Sequence, residues 1–265
     1  MKDRKFLIIG LSVCFSGIMI FYLYPFLDGF IKTLSGNEAG FLGKYKVLLK
    51  NPSLLLALKN TFLFTVISVS VINLFSFNVA LVLWRIPKKI YFMTLILPLA
   101  IPVISTASAW MFILKGISSE LLYGQYSMLG VILIYTWKYS GFHILVYYSG
   151  IRSVPQSHWD AAAIDGASTL RYVKSILIPE TRSFTIFNLF FAVLHSFLIF
   201  RDIYLLFGNY PPENMYLLQH FIQNSYVRLQ YDDVLCAGYV FSGIVLLFFI
   251  PLFYRAHKEG SFLDV

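Results

Sequence analysis

Residues 57–84 read ALKNTFLFTVISVSVINLFSFNVALVLW, and Lys59 is the one charged side chain among them. A helix of about 20 mainly apolar residues is long enough to span the hydrocarbon core of a bilayer. Backbone amides in lipid must find their hydrogen-bond partners within the same segment, so such a stretch is expected to be helical. This stretch therefore predicts a membrane-spanning helix and decides the fold class of the chain.

Five further stretches have the same character. The six predicted spans are residues 6–31, 57–84, 90–114, 128–151, 183–206 and 234–254. The third span contains Pro98 and Pro102, and proline removes a backbone donor and kinks a helix. We expect a bend there. It either lets the helix pack against its neighbours or forms a gate. The predicted fold is an all-α integral membrane protein with six transmembrane helices.

The overall composition agrees with a membrane protein. The 265 residues are 58% hydrophobic and 13% charged, with a mean hydropathy of +0.72, whereas soluble domains are about 25% charged. A formal charge of +8 would suit nucleic acid, but the basic residues lie at the ends of apolar runs. Cytoplasmic loops of membrane proteins keep Lys and Arg in those positions. We therefore expect membrane lipid, and no nucleic acid, as a partner.

The sequence gives no sign of an enzyme. Cys14 and Cys236 lie inside apolar runs, without metal-ligand spacing or a disulfide framework. Residues 40–44 lack the spacing of a phosphate-binding loop. The N-terminal apolar run continues to Ile31, beyond the roughly 7–15 residues of a signal peptide, which favours a retained first helix. We expect no catalytic residues, no metal, no cofactor and no ATPase within this chain.

Basic residues also predict the orientation, because Lys and Arg are enriched in cytoplasmic loops. One set of alternate connections carries twelve Lys and Arg, and the other carries seven. The richer set is Lys2, Arg4, Lys5, Arg85, Lys88, Lys89, Arg152, Arg171, Lys174, Arg182, Arg255 and Lys258. The sequence thus predicts a multi-pass protein of the cell membrane with both termini cytoplasmic, and the connection between the fourth and fifth spans on the same side.

That connection, about residues 152–182, is named the elbow here. It contains WDAAAIDGAS at 159–168 and ILIP at 176–179. Residues 156–164 are predicted to form a helix that ends at Asp165-Gly166, because glycine takes the left-handed conformation at little cost. A second short helix, about 167–178, is predicted to end at Pro179. Helix, glycine turn and helix together predict a protruding cytoplasmic structure.

The elbow resembles the EAA motif of ABC importer permeases, in which E-A-A is followed by D-G-A and then by I-x-L-P. Asp160 stands at the usual Glu and Ile178 at the usual Leu, and the other motif positions match. The resemblance implies a coupling loop that docks into a cleft of an ATPase subunit, so that closure of the ATPases moves the membrane helices. The coupling residues it implies are Asp160, Ala161, Ala162, Asp165, Gly166 and Ala167.

Flanking regions resemble the carbohydrate-importing permeases of the maltose and glycerol-phosphate type. These regions are residues 41–45, Asn60-Thr61 and the stretch 204–221. The resemblance implies a first helix with its outer connection over 1–56 and a permease core with five helices over 57–265. It also implies sugars or oligosaccharides as cargo on an alternating-access pathway. The implied partners are a second permease in a heterodimer, two ATP-binding subunits and an extracytoplasmic solute-binding protein.

Two alternatives remain open from the residues. An ABC permease for peptides, amino acids or anions would share the elbow, since only the flanking regions favour sugars. An ion-coupled secondary transporter would need no ATPase, but the internal repeats and broken helices typical of that class are not evident.

Several polar side chains fall in or near the predicted spans, where such groups usually face a cavity or a partner. Asn188 and His195 are seven positions apart and so lie on one helix face. Asn188, His195 and Lys138 are the candidates for lining the substrate pathway, whereas for each Asn or His taken alone the residue type favours interhelical hydrogen bonding. The full set is Asn73, Asn78, Lys138, His143, Asn188, His195, Arg201 and Asp202.

Overall fold

A computed structural model describes residues 2–34, 42–86 and 89–258, with side chains for 10–34, 42–86 and 93–255. Throughout these residues the secondary structure is helical, with no strand, so the predicted all-helical fold class is confirmed. Some residues used in the sequence predictions lie outside the described residues or side chains, namely Lys2, Arg4, Lys5, Gly40, Phe41, Lys88, Lys89 and Lys258.

The helices follow one another with short connections. Turns of π-helix lie at Met19–Leu23 and Val173–Leu177, and a 3-10 turn lies at Glu213–Met215. In chain order the α-helices are α1 (Lys2–Ile18), α2 (Tyr24–Leu34), α3 (Gly43–Leu48), α4 (Pro52–Arg85), α5 (Lys89–Ala100), α6 (Val103–Ile117), α7 (Glu120–Tyr123), α8 (Ser127–Ser153), α9 (Gln156–Ile164), α10 (Thr169–Tyr172), α11 (Ile178–Glu180), α12 (Arg182–Leu198), α13 (Phe200–Phe207), α14 (Leu218–Val227) and α15 (Tyr231–Lys258).

Five helical stretches in the described residues are long and apolar enough to cross a membrane. They are Gly10–Leu34, Pro52–Arg85, Ser127–Ser153, Arg182–Phe207 and Tyr231–Arg255. The pair Met93–Ala100 and Val103–Ile117 makes a sixth if it is counted as one span, but it is bent by 101°. The structure therefore has five spans, or six with the bent pair.

The bend in the third predicted span lies at one of its two prolines. Pro98 lies inside α5, whereas Pro102 is the extended residue that precedes α6. A residue before proline is disfavoured in the helical conformation, so Ile101 is where the helix breaks. The sequence predicted a bend from both prolines, and the structure places it at the second.

The chain divides into two compact units, residues 1–56 with 221–243 and residues 57–220 with 244–265. Within the first unit, the Tyr239 hydroxyl donates to the Phe26 carbonyl oxygen at 2.6 Å, and its ring meets those of Phe26 and Phe30 edge-on. Lys44 and Asp232 form an ion pair at 2.9 Å in the same unit. These contacts hold the first transmembrane helix to the start of the last one.

The core of the second unit is arranged around α8. This helix is the most enclosed of the five spans, since 56% of its most apolar 18-residue stretch is buried inside the protein. Its close contact with α5 depends on Gly141, because a Cβ at this position would lie 1.7 Å from the Leu95 carbonyl oxygen. Tyr135 is fully buried in the same helix, and its hydroxyl donates to the Ala192 carbonyl oxygen of α12 at 2.8 Å. These contacts hold α5, α8 and α12 together.

Candidate functional site

The first arm of the elbow is α9, which covers the predicted residues 156–164. Gly166 has φ of 72°, the left-handed conformation in which glycine is preferred. Its N–H donates to the Ala163 carbonyl at 3.1 Å, and the Ala167 N–H donates to the Ala162 carbonyl at 2.9 Å. This pair of bonds is the Schellman arrangement that ends a helix and satisfies its last carbonyls. The chain reverses sharply after α9.

The second arm runs from Thr169 to Glu180, against the predicted 167–178, and it includes a π-turn that sequence analysis did not predict. It begins with α10, where the Ser168 hydroxyl caps the helix by accepting the Arg171 N–H at 3.3 Å. The chain then passes through the π-turn and α11, which contains Pro179 and ends at Glu180. The helical path therefore ends one residue beyond the predicted Pro179. Proline is tolerated in the first turn of a helical segment, where its missing N–H has no intrahelical partner.

The residues implied by the EAA motif divide into an exposed set and an inward-facing set. Asp160, Ala161, Asp165 and Gly166 are exposed. Ala162 is only 8% exposed and packs into the core beneath the elbow. Ala167 is half-buried and packs against the same core.

Two large apolar side chains project from the tip of the elbow. Ile164 is 87% exposed and Leu170 is 64% exposed. In the chain they precede and follow the turn formed by Asp165 and Gly166, so the exposed residues here include both apolar groups and a carboxylate. Sequence analysis included Ile164 in the first elbow helix but assigned it no role, and it did not single out Leu170. Their exposure depends on the fold of the turn, which the motif does not specify.

Three aromatic rings connect the elbow to the end of α4. Trp84 meets Trp159 edge-on at 5.6 Å and stacks on Tyr172 at 6.4 Å, and Trp159 meets Tyr172 edge-on at 4.8 Å. Beside them the Arg85 guanidinium donates to the Thr169 hydroxyl at 2.9 Å. Burial raises the pKa of the Tyr172 phenol, and the negative charge of Glu180 raises it further, so this ring stays neutral. Sequence analysis placed Trp159 on the elbow helix but did not pair it with the other two rings.

The predicted pathway residue Lys138 forms an ion pair inside the helix bundle. Its Nζ lies 2.7 Å and 2.8 Å from the two carboxylate oxygens of Asp202, and both side chains are buried. The pair joins α8 to α13. A charge at this depth needs such a partner, because its solvation by lipid is poor.

Asn188 and His195 are brought together through a residue between them, His143 of α8. His143 Nδ1 donates to Asn188 Oδ1 at 2.6 Å, and the Asn188 amide donates back to the His143 carbonyl at 3.1 Å. His143 Nε2 then lies 3.1 Å from His195 Nδ1 and accepts its proton. The His195 ring also stacks on Tyr139 at 4.3 Å. Asn188 is fully buried, whereas His195 is half-buried.

Within the described residues, no group of three His, Cys, Asp or Glu side chains is placed to hold a metal ion. The arrangement offers hydrogen bonds, an internal ion pair and an exposed turn with apolar side chains. The hydrogen bonds and the ion pair are means of positioning helices.

Residues 72–258 match the family described as the binding-protein-dependent transport system inner membrane component. This chain belongs to that family. The resemblance to ABC importer permeases is thereby confirmed, and this inner membrane component is a membrane-embedded transport permease.

Relatives of this inner membrane component carry permease names. The arabinooligosaccharides transport system permease protein AraP of Bacillus subtilis (strain 168) is 26% identical over 223 residues, which cover 74% of this chain and 70% of AraP. The probable starch degradation products transport system permease protein AmyC of Thermoanaerobacterium thermosulfurigenes is 30% identical over 182 residues, which cover 66% of this chain and 62% of AmyC.

Solved structures show the same fold. A bacterial ABC transporter involved in the import of the acidic polysaccharide alginate superposes with a TM-score of 0.79 at 18% identity, covering 99% of this chain and 98% of that one. A bacterial alginate ABC transporter in complex with an alginate pentasaccharide-bound periplasmic protein gives 0.76 at 17% identity, covering 99% and 97%. At these identities the likeness concerns the fold of the inner membrane component.

Proposed function

We propose that this chain is a permease subunit of an ATP-driven importer for sugars or oligosaccharides, and that it works by alternating access. The family match and the names of AraP and AmyC support this cargo class. The buried pairing of Lys138 with Asp202 supports a neutral sugar in particular, because this lysine has its charge balanced within the chain.

The elbow is the proposed coupling loop, and its geometry is the observation that carries the proposal. The exposed residues Asp160, Ala161, Asp165 and Gly166 form the docking surface for an ATPase subunit. The exposed side chains of Ile164 and Leu170 provide apolar anchors of the kind that protein partners bury. Ala162 and Ala167 act from the other side, where they hold the turn against the permease.

The proposed assembly has a second permease in a heterodimer, two ATP-binding subunits and an extracytoplasmic solute-binding protein. The alginate transporter solved with a periplasmic protein supports the last of these partners. Both termini and the elbow are proposed to be cytoplasmic, as the Lys and Arg distribution suggests. A reporter that is active only outside the cytoplasm should work when fused near Gln125 or Asn214 and fail near Ser168; the reverse pattern would contradict this orientation.

His195 is the proposed sugar contact among the three predicted pathway residues. It alone of the three is not buried, and it lies among the rings of Tyr139, Phe142 and Phe191, which suit the apolar faces of a sugar. Asn188 acts through His143, and Lys138 acts through Asp202, to hold the helices that border the pathway.

The coupling proposal is tested at Gly166 in a reconstituted importer. Gly166→Leu should abolish ATP-dependent sugar uptake while the permease stays in the membrane, because a side chain is strained at φ of 72°. Gly166→Ala should lower uptake for the same reason, whereas Gly116→Ala is the control, because Gly116 lies within a helix and no atom lies within 4 Å of its added Cβ. Uptake should stay near wild type for Gly116→Ala. Normal uptake by Gly166→Leu at normal expression would contradict the coupling role.

A further inference from the structure

Along the chain, the elbow directly follows α8 and directly precedes α12, but it is not adjacent to α4. The chain leaves α4 at Arg85 and returns to the elbow only after α5 to α8. Any movement of the elbow therefore reaches α8 and α12 directly through the backbone. It reaches α4 only through non-covalent contacts.

The rings of Trp84, Trp159 and Tyr172 supply such a contact, and each of them touches the other two. They come from the last turn of α4, from α9 and from α10, so both arms of the elbow are connected to α4 at one point. Aromatic pairs in edge-on and stacked geometry resist displacement more strongly than their buried area alone suggests. We call this cluster of Trp84, Trp159 and Tyr172 the clamp.

Two further features stiffen this junction. The Arg85–Thr169 hydrogen bond lies beside the clamp and also joins α4 to α10. Beneath it lies a continuous apolar core that includes Leu83 of α4, Ile151 of α8 and Ala162 of α9, all buried. Densely packed groups move together because interiors transmit strain with little compression.

We propose that Trp84, Trp159 and Tyr172 are positioning residues that pass movement of the elbow to α4, so that ATPase closure shifts this helix together with α8 and α12. The inference rests on the proposed coupling function and adds to it a residue on α4, outside the EAA motif. It concerns transmission within the permease, which is distinct from docking of the ATPase.

The test follows α4 directly. Val82 is 60% exposed and lies just before the clamp, so Val82→Cys labelled with an environment-sensitive fluorophore reports movement of this helix. Cys14 and Cys236 are replaced by alanine in the full reconstituted importer. Non-hydrolysable ATP should shift the fluorescence in the complex with an intact clamp. Trp84→Ala or Trp159→Ala should abolish most of that shift while the ATPase subunits stay bound.

Uptake provides the second readout. Uptake per ATP hydrolysed should fall severalfold in Trp84→Ala, because movement of the elbow then no longer reaches α4 through the clamp. Trp159→Ala should show a similar loss, and Trp159→Phe should retain much more of the uptake, because it keeps a ring in the cluster. Phe62→Ala is the matched control, because it also removes an α4 ring, but one that contacts Phe248 at 6.1 Å and lies outside the core beneath the elbow. It should retain wild-type uptake per ATP.

The outcomes separate this inference from the function on which it rests. If the intact importer shows no ATP-dependent uptake, the proposed function fails first. If the intact importer transports but Trp84→Ala and Trp159→Ala keep both the fluorescence shift and uptake per ATP, the clamp is overturned alone. Loss of ATPase binding in the ring variants would also overturn it, because the rings would then serve docking.

Discussion

Lys138 and Asp202 form a buried ion pair, and their burial makes each side chain dependent on the other. Removing one partner leaves an uncompensated charge, which costs about 3–5 kcal/mol. Lys138→Met should therefore strongly lower the thermal unfolding temperature of the purified permease, and adding Asp202→Leu should restore most of it. Lys44→Met is the control, because the Lys44–Asp232 pair is more exposed and such pairs contribute about 0–1 kcal/mol. Equal effects of the two lysine variants would contradict this account.

His220 is a second residue whose burial has a measurable consequence. Its Nδ1 accepts the Leu217 N–H at 3.2 Å, so the neutral ring carries its proton on Nε2, and burial lowers its pKa to about 4. The unfolded chain, with a pKa of about 6.5, takes up a proton first as the pH falls. The free energy of unfolding should therefore fall by up to about 3 kcal/mol as the pH is lowered from about 6.5 to about 4.

That loss is measured as the unfolding temperature of the permease at pH 7.5 and at pH 5. His220→Gln keeps an acceptor for the Leu217 N–H but does not titrate, so its unfolding temperature should fall less on acidification. Identical falls for wild type and variant would contradict a buried neutral histidine.

Sequence analysis identified Lys138, Asn188 and His195 as polar groups inside spans but could not pair them. The partner of Lys138 is 64 residues away in the chain, and His143 stands between Asn188 and His195. Helix periodicity gives the face of one helix, whereas these pairings depend on how α8 is rotated against α12 and α13. That rotation is set by packing, which a single sequence does not reveal.

At the scale of elements, the first arm of the elbow follows from local signals and the second does not. Pro155 and Gly166 bound α9 through their own backbone preferences, so residues 156–164 could be assigned from sequence. The second arm continues past Pro179 because a π-turn precedes it, and Val173 and Leu177 of that turn are buried in the core below. Tertiary packing decides the π-turn, which no local signal indicates, whereas Pro179 lies one residue from the end of the arm.

The crossing of α5 and α8 depends on one small residue. Gly141→Ala would place a methyl group against the Leu95 carbonyl, so the two helices must separate and α5 must shift. We expect a lower unfolding temperature and impaired uptake, with a cost of about 1–3 kcal/mol as for overpacked cores. Gly116→Ala is the control, since no atom lies within 4 Å of its added Cβ. Equal unfolding temperatures for the two variants would rule out this close approach.

For the molecule as a whole, the membrane class and most span positions could be predicted from hydropathy alone. The third span is the exception, because two prolines announce a bend but not its angle of 101° or its place at Pro102. The partner proteins could be suggested only by the EAA resemblance. Composition and span count are shared by many membrane proteins, whereas the elbow motif is specific to one family.

ATP dependence of uptake is the most direct test of the central proposal. The permease is reconstituted with its partner permease, the ATPase subunits and the binding protein in vesicles, and entry of a labelled neutral oligosaccharide is measured with and without ATP. The account predicts entry that requires both ATP and the binding protein and is indifferent to proton or sodium gradients. Entry that proceeds without ATP and follows an ion gradient would contradict it.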